Sequence, residues 1–536
     1  MIGRILGHDG GGAAAGPAGD LDGLRALCAE LGYLPLAIEQ AGAYLAQSGI
    51  SAREYLDLLA QYPAVMYRDG AEGTPSERTL ARVWHSTLDR LTDTPACGEI
   101  LRVLAWYASE GIPRSLLAGL GEPPVIAGAI GRLAAYSMIT LTGPADHGSG
   151  TLAVHRLVQA LARTPEPHDP HRDAEAIDTA RAYATAALNV ALPDCMVRDP
   201  AGWPTWRALL PHIEALAAHT HPGNGTADTA RLLNDAGVFL EDQGAPTRAA
   251  GYLEQALTDC RRALGDDHPN TLASVNNLAG AYRSAGDLGR AIPLYEQALT
   301  DCRRILGDDH PDTLTSVNNL AYAYESAGDL GRAIPLYEQA LTDCRRVLGD
   351  DHPHTLGSVN NLAGAYESAR DLGRAIPLYE RALTDCRRIL GDDHPHTLGS
   401  VSNLAGAYRS AGDLGRAIPL SEQALTDRRR VLGDDHPHTL ASVSNLAYAY
   451  QLAGDLGRAI PLFEQALTDR RRVLGDDHPH TLTSVSNLAY AYRSAGDLGR
   501  AIPLYEQALT DCRRALGDDH PLTKTVRGNA RTARQQ

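Results

Sequence analysis

The dipeptide His-Pro returns every 42 residues, at His268, His310, His352, His394, His436, His478 and His520. Between these marks the text is almost constant, as in SVNNLAGAYRSAGDLGRAIPLYEQALTDCRRILGDDHP. A more diverged copy, starting near Thr229, precedes them. A fixed period of this length means one supersecondary unit stacked on itself. No single unit can bury its apolar stripe alone, so the chain must pile its units into a continuous core. Seven units over 229–521 are predicted, and 522–536 reads as a polar capping helix.

Each unit reads as two helices. In the one starting at Thr271, Leu272, Val275, Leu278, Ala279 and Tyr282 fall at spacings of three and four, one apolar stripe. Gly286 ends that helix and Asp287 is placed to cap the next, whose buried face carries Ala291, Tyr295, Ala298, Cys302 and Leu306. Gly265, past the equivalent helix of the preceding unit, is expected at positive φ. Pro269 suits a first helical turn. Pro293 lies inside the second helix, so a slight bend is expected there. Five cysteines (Cys260, Cys302, Cys344, Cys386 and Cys512) occupy one repeat position, which holds Arg428 and Arg470 elsewhere. That exchange excludes a disulfide or metal framework. The Asp266-Asp267-His268 triplets read as caps and turns, and no metal site is expected.

The order Ala279, Tyr282, Gly286, Ala291, Tyr295, Ala298 is similar to the tetratricopeptide-repeat signature. The 42-residue form, with SVNNLA, AIPLYEQAL and LGDDHP, resembles the repeats of kinesin light chains. The fold class implied is mainly α: an α-solenoid, a superhelix of helix pairs. The resemblance also implies that the first helix of each pair lines a concave groove. Candidate groove residues are then Asn277, Asn319, Asn361, Asn403, Asn445 and Asn487, with Asn276, Asn318 and Asn360 beside them. An amide offers both a donor and an acceptor to an extended peptide backbone. Specificity is assigned to positions that differ between the copies. These are Arg283, Arg409 and Arg493, with Glu325, Glu367 and Gln451 at the same place, and Tyr322, Tyr448 and Tyr490, where other copies have glycine. The expected partner is a protein or extended peptide; self-association through the array is a further mode.

The N-terminal third reads differently. Leu24, Leu27 and Leu31 mark one helix, and Ser51 to Glu54 is a capping box opening another. Helices are expected over Glu77–Leu91, Pro95–Ala108 and Ile126–Tyr136. Met138–Thr142 and Thr151–His155 read as two strands of a small β-hairpin, and a last helix runs through Leu157 to Leu161. The predicted segments are a disordered Gly/Ala-rich start (1–20), a helical piece (21–76), a winged-helix-like domain (77–164) and a helical linker (165–228). In that linker, Trp203 and Trp206 are expected to cap the first repeat.

Leu34-Pro35-Leu36-Ala37 resembles the GLPLA motif of the NB-ARC module of STAND signalling ATPases, whose proline lies against adenine. Val154-His155-Arg156 stands where that family has Met-His-Asp, with Arg156 in place of the acid. The resemblance implies vestigial cofactor-binding positions at Pro35 and His155. A phosphate-binding loop of the form GxxxxGK[ST] needs a lysine, and the sole lysine is Lys524. No cofactor and no catalysis are therefore expected. The array reads as a scaffold or sensor arm of a STAND-type signalling protein. The alternative is a fragment of an NB-ARC signalling ATPase with an ADP/ATP-dependent switch; truncation, a misplaced start and a true adaptor are all compatible with the missing loop.

Charge narrows the partners. Forty-nine basic and 65 acidic residues leave a net −16, the wrong sign for nucleic acid or an anionic membrane. Residues 80–164 carry seven arginines against six acids with no basic stripe, so DNA binding is not expected of the winged helix. No secretory or membrane-spanning segment is legible, and a cytoplasmic location is expected.

Overall fold

The computed structural model describes residues 21–31, 33, 35–60, 75–142, 150–167, 169–193, 200–518 and 520–535. The expected disordered start, Gly32 and Leu34 of the GLPLA-like segment, and the hairpin turn at 143–149 lie outside the described residues. The chain divides into two compact units, Met1–Leu233 and Asn234–Gln536.

In the first unit, helices α1 (Leu21–Glu30), α2 (Pro35–Ser48), α3 (Ala52–Ala60), α4 (Pro75–Arg90), α5 (Ala96–Leu104) and α6 (Pro123–Ala135) come first. The capping box opens α3 as its sequence requires: Ser51 N–H donates to Glu54 Oε2 at 2.7 Å, and Glu54 N–H to Ser51 Oγ at 3.2 Å. Strands β1 (Ile112–Pro113), β2 (Thr140–Thr142) and β3 (Thr151–Ala153) form an antiparallel sheet in the order β1-β3-β2. The hairpin strands are shorter than expected, and β1 joins them as a third strand. Two residues carry no alternation, so β1 left no trace in the sequence pattern. Helices α7 (Arg156–Arg163), α8 (Ala174–Ala191) and α9 (Trp203–His219) follow. Helix α5 sits at the centre, against α6, α7 and α8, with Ile100 and Leu104 fully buried. Trp203 and Trp206 are buried too.

His212 of α9 bridges to the loop after α5. Its Nδ1 accepts from Ala108 N–H at 3.2 Å, and Nε2 lies 3.2 Å from the Gly111 carbonyl. The ring is 1% exposed, and burial pushes its pKa below the ordinary imidazole value. The sign follows directly. The unfolded chain takes up this proton first, so the contribution is complete above about pH 6.5 and is lost as pH falls below it. The first unit should therefore melt earlier at pH 5 than at pH 7.5. His212→Gln should flatten that dependence in thermal melts followed by tryptophan fluorescence.

The second unit holds the repeats from partway along the first helix of repeat 1. The first helices of repeats 2–7 are Pro269–Ser284, Pro311–Ser326, Pro353–Ser368, Pro395–Ser410, Pro437–Leu452 and Pro479–Ser494. Their second helices run from Leu288–Leu306 to Leu498–Leu516, each 19 residues long. Repeat 1 comprises Ala227–Asp242 and Pro246–Leu264, and Pro521–Gln535 is the terminal helix. The second helix runs unbroken through Pro293, which deprives only the Gly289 carbonyl of its partner.

The punctuation works as the residue types dictate. Asp287 Oδ1 accepts from Arg290 N–H at 3.2 Å, and His268 Nδ1 accepts from Asn270 N–H at 3.1 Å. Gly265 has φ +90° and Gly286 φ +82°. In repeat 4 the residue matching Gly286 is Arg370, held at φ +60°. A left-handed conformation costs a non-glycine residue about 1 kcal/mol. Arg370→Gly should stabilise the array by about that amount, read as a higher denaturation midpoint.

Neighbouring repeats are tied by a recurring triad. Tyr324 donates its hydroxyl to Glu296 of the preceding repeat at 2.5 Å, while the Arg332 guanidinium stacks 4.1 Å from the Tyr324 ring centre. Outside, Asp267 pairs with Arg304 of the next repeat at 2.7 Å, and Asp309 with Arg346 at 2.6 Å. These ion pairs are exposed and fix register more than they add stability. The described cysteines are free thiols; those in the repeats are buried, with Cys302 and Cys344 close to a serine hydroxyl of the following helix. Arg428 fills the same position by donating to Ser442 Oγ at 2.8 Å and to two backbone carbonyls.

The winding returns on itself. His478 Nε2, at the start of repeat 7, lies 3.4 Å from the Asp242 carbonyl of repeat 1. Gly244 faces Pro479 so closely that a Cβ would fall 2.4 Å from the proline Cδ.

Candidate binding face of the repeat array

First helices pack on first helices of the next repeat, as Pro311–Ser326 does on Pro353–Ser368 and the latter on Pro395–Ser410. Second helices make no comparable contact with one another among the described residues. The first helices therefore form the tighter wall of the winding, and their outward positions define one continuous face.

Two asparagines stand there in each of repeats 2–4, and they behave differently. Asn276, Asn318 and Asn360 donate to the carbonyl four residues back and to Ser316, Ser358 and Ser400 of the next repeat at 3.0–3.5 Å. Their amide nitrogens are engaged within the array, where they tie neighbouring coils together. The second set is freer. Asn277 donates to Asn234 at 3.0 Å, Asn361 to Asn318 at 3.3 Å, and Asn487 accepts from Tyr448 at 2.5 Å. Asn319, Asn403 and Asn445 have no side-chain hydrogen bond among the described residues; Asn403 is exposed and the other two are half-buried.

The variable positions flank them. Arg283 lies 4.2 Å over the half-exposed ring of Tyr322, and Arg493 lies 4.7 Å over Tyr490. Tyr448 meets Phe463 edge-on at 5.2 Å. Glu325 accepts from Tyr337 at 3.0 Å and from Ser368 at 2.7 Å; Glu367 does the same with Tyr379 and Ser410. These carboxylates are structural acceptors as well as surface charges. Burial, with the nearby Glu325 second, pushes the Tyr337 phenol far up, so it stays a neutral donor.

In the first unit, Pro35 is exposed at the start of α2, and His155 is exposed and caps α7, its Nδ1 accepting from Leu157 N–H at 3.2 Å. A different group gathers nearby in sequence. His85, Asp89 and His171 hold their ligand atoms within 4.8 Å of one another, a set that could hold a metal ion. They are already partnered: His171 Nε2 is 2.7 Å from Asp89 Oδ1, and His85 Nδ1 is 3.3 Å from buried Asp169. The sequence signals only the spacing of His85 and Asp89 on one helix; His171 arrives from a loop.

The Tetratricopeptide repeat family model matches in overlapping stretches from 228–301 to 440–514, together more than half of the chain. The chain belongs to the tetratricopeptide-repeat family. This tetratricopeptide-repeat protein is 32% identical over 270 residues to a nucleotide-binding leucine-rich repeat (NLR)-like protein of Hyaloscypha variabilis, covering 48% of this chain. It spans about a quarter (26%) of that relative's length. Among solved structures, a putative kinesin light chain with nearly identical TPR-like repeats from Podosopora anserina is 33% identical. The match covers 38% of this chain and 97% of that one, with a TM-score of 0.33. A STAND protein with a tetratricopeptide repeat sensor from Pyrococcus horikoshii is 14% identical over 92% of this chain and 75% of that one, at a TM-score of 0.36. No described helix is long and apolar enough to cross a membrane.

Proposed function

We propose that the repeat array holds a protein or extended peptide along the face of its first helices, as the sensor arm of a STAND-type signalling protein, and performs no chemistry itself. The observation that carries this is the row Asn319, Asn403 and Asn445. These amides keep donor and acceptor capacity beside positions where near-identical repeats differ. The positions of Arg283, Glu325 and Arg409 differ between copies that are otherwise nearly identical. A row of amides suits a main chain, because it binds what every peptide shares. The surrounding Arg, Glu and Tyr then select side chains. Alanine at all three asparagines tests the reading through capture of the partner recovered by the intact chain.

The likeness to the NLR-like protein favours a second reading, in which the chain is part of a nucleotide-dependent switch. Saturable ADP binding to the purified chain, abolished by His155→Ala, is the result that would move the balance to it.

A further inference from the structure

Because the repeats are close copies, a departure in one of them stands out. At one second-helix position they carry Leu253, Tyr295, Tyr337, Tyr379, Ser421, Phe463 and Tyr505. All five aromatic rings are buried. In repeat 4 the ring reaches the first helix, where a Cβ on Gly364 would sit 3.3 Å from the Tyr379 hydroxyl; in repeat 2 the matching distance at Gly280 is 3.5 Å. In repeat 5 a Cβ on Gly406 would meet nothing within 4 Å. Serine has taken the place of a ring, and its neighbours have not closed the gap.

What remains is a cavity of about 220 Å³ bounded by Ser421, Gly406, Ser442, Asn403, Arg409 and Glu367, among others. A cavity of about 150 Å³ is enough to hold benzene. Ser421 turns its hydroxyl away, donating to the Ala417 carbonyl at 2.9 Å. Exposed Asn403, on the amide face, is among its lining residues.

The polar groups of the lining narrow the occupant. In repeats 3 and 4 the buried phenol donates to Glu325 or Glu367 of its own repeat. The matching residue of repeat 5 is Arg409, half-buried and without an ion pair among the described residues. Glu367 reaches the same cavity from repeat 4, and its carboxylate has acceptor sites beyond the two hydroxyls it holds. The cavity therefore offers a ring-sized space with a guanidinium donor and a carboxylate acceptor. A phenol is the side chain that both donates and accepts at its ring's far end.

We propose that this cavity receives a tyrosine side chain of the bound partner, the ring against Gly406 and the hydroxyl between Arg409 and Glu367. The proposal rests on the groove reading for the partner, though the cavity is testable without one. A phosphorylated tyrosine is excluded, since it would bring a dianion against Glu367.

The test uses the full chain and p-cresol, the tyrosine side-chain analogue, followed by saturation-transfer NMR. Saturable p-cresol binding is expected, with toluene at least threefold weaker and phenyl phosphate silent. Ser421→Tyr restores the consensus ring, and should abolish p-cresol binding while raising the melting temperature. Gly406→Tyr, which copies Tyr448 of the next repeat, plugs the cavity from its other wall and should do the same. No p-cresol binding, or equal binding to the intact chain and to both plugged variants, overturns the proposal. With the natural partner, Ser421→Tyr should lower capture at least tenfold. If the triple asparagine variant weakens capture and Ser421→Tyr does not, the cavity proposal falls and the groove stands. If the triple variant leaves capture intact while plugging removes p-cresol, the groove reading falls and the cavity stands.

Discussion

Alanine at Asp169 is expected to destabilise the first unit by about 3 kcal/mol. Its carboxylate accepts from Arg172 Nε at 2.9 Å and from His171 N–H at 2.9 Å, and stands 3.3 Å from His85 Nδ1. Asp169, Arg172 and His85 are all within 5% of full burial. Removing the acid takes one carboxylate from a buried guanidinium, and Glu166, 3.2 Å from it, limits the loss. Burial alone would raise the Asp169 pKa, but hydrogen bonds from His85, Arg172 and the His171 backbone outweigh it and hold the group down at about 2. The stabilisation is thus present above the ordinary carboxylate range near pH 4 and is lost as pH falls from there towards 2. All four tryptophans, Trp84, Trp106, Trp203 and Trp206, belong to this unit, so urea unfolding followed by fluorescence reports it separately from the helical array. A midpoint unchanged in the alanine variant would mean that the cluster is held by packing alone.

The second large effect is on capture. Converting Asn319, Asn403 and Asn445 together to alanine removes three amides without touching a described side-chain hydrogen bond. At about 1 kcal/mol for each lost bond, affinity should fall by about 3 kcal/mol, roughly 100-fold in Kd. Far-UV circular dichroism and the melting temperature should hardly move. The control is Asn276, Asn318 and Asn360, whose amides bridge neighbouring repeats. Alanine there should cost stability first. Equal affinity for the Asn319 variant and the intact chain would remove the groove as the binding surface.

What the sequence discloses depends on the range of the interaction. Helix ends are local, so Asp287, His268 and Gly286 announce their roles in a few letters, and repetition multiplies the signal. The stripe of Ala291, Tyr295 and Ala298 is equally plain and fully buried. The asparagine pair was only half legible. The two residues point about 100° apart round the helix, and which one reaches the next repeat depends on a serine 40 positions later, as Ser316 is from Asn276. Strand β1 and the Asp169 cluster were invisible, since their partners come from 40 and 84 positions away with no periodic pattern between them. The Ser421 cavity was written in the letters, but its meaning needed the neighbouring rings in place.

The touch between Asp242 and His478 has a genetic consequence. Tandem copies this similar invite unequal recombination, which adds or drops whole units. In a free-ended pile such an event would alter only length. Here the contact joins the first unit to the seventh, and the His-Pro that makes it is copied in every unit, so a gain leaves a seventh unit in the same place whereas a loss leaves Asp242 without its partner. Seven is thus the smallest number of units that keeps this touch, and a gene that drops below it loses the clasp.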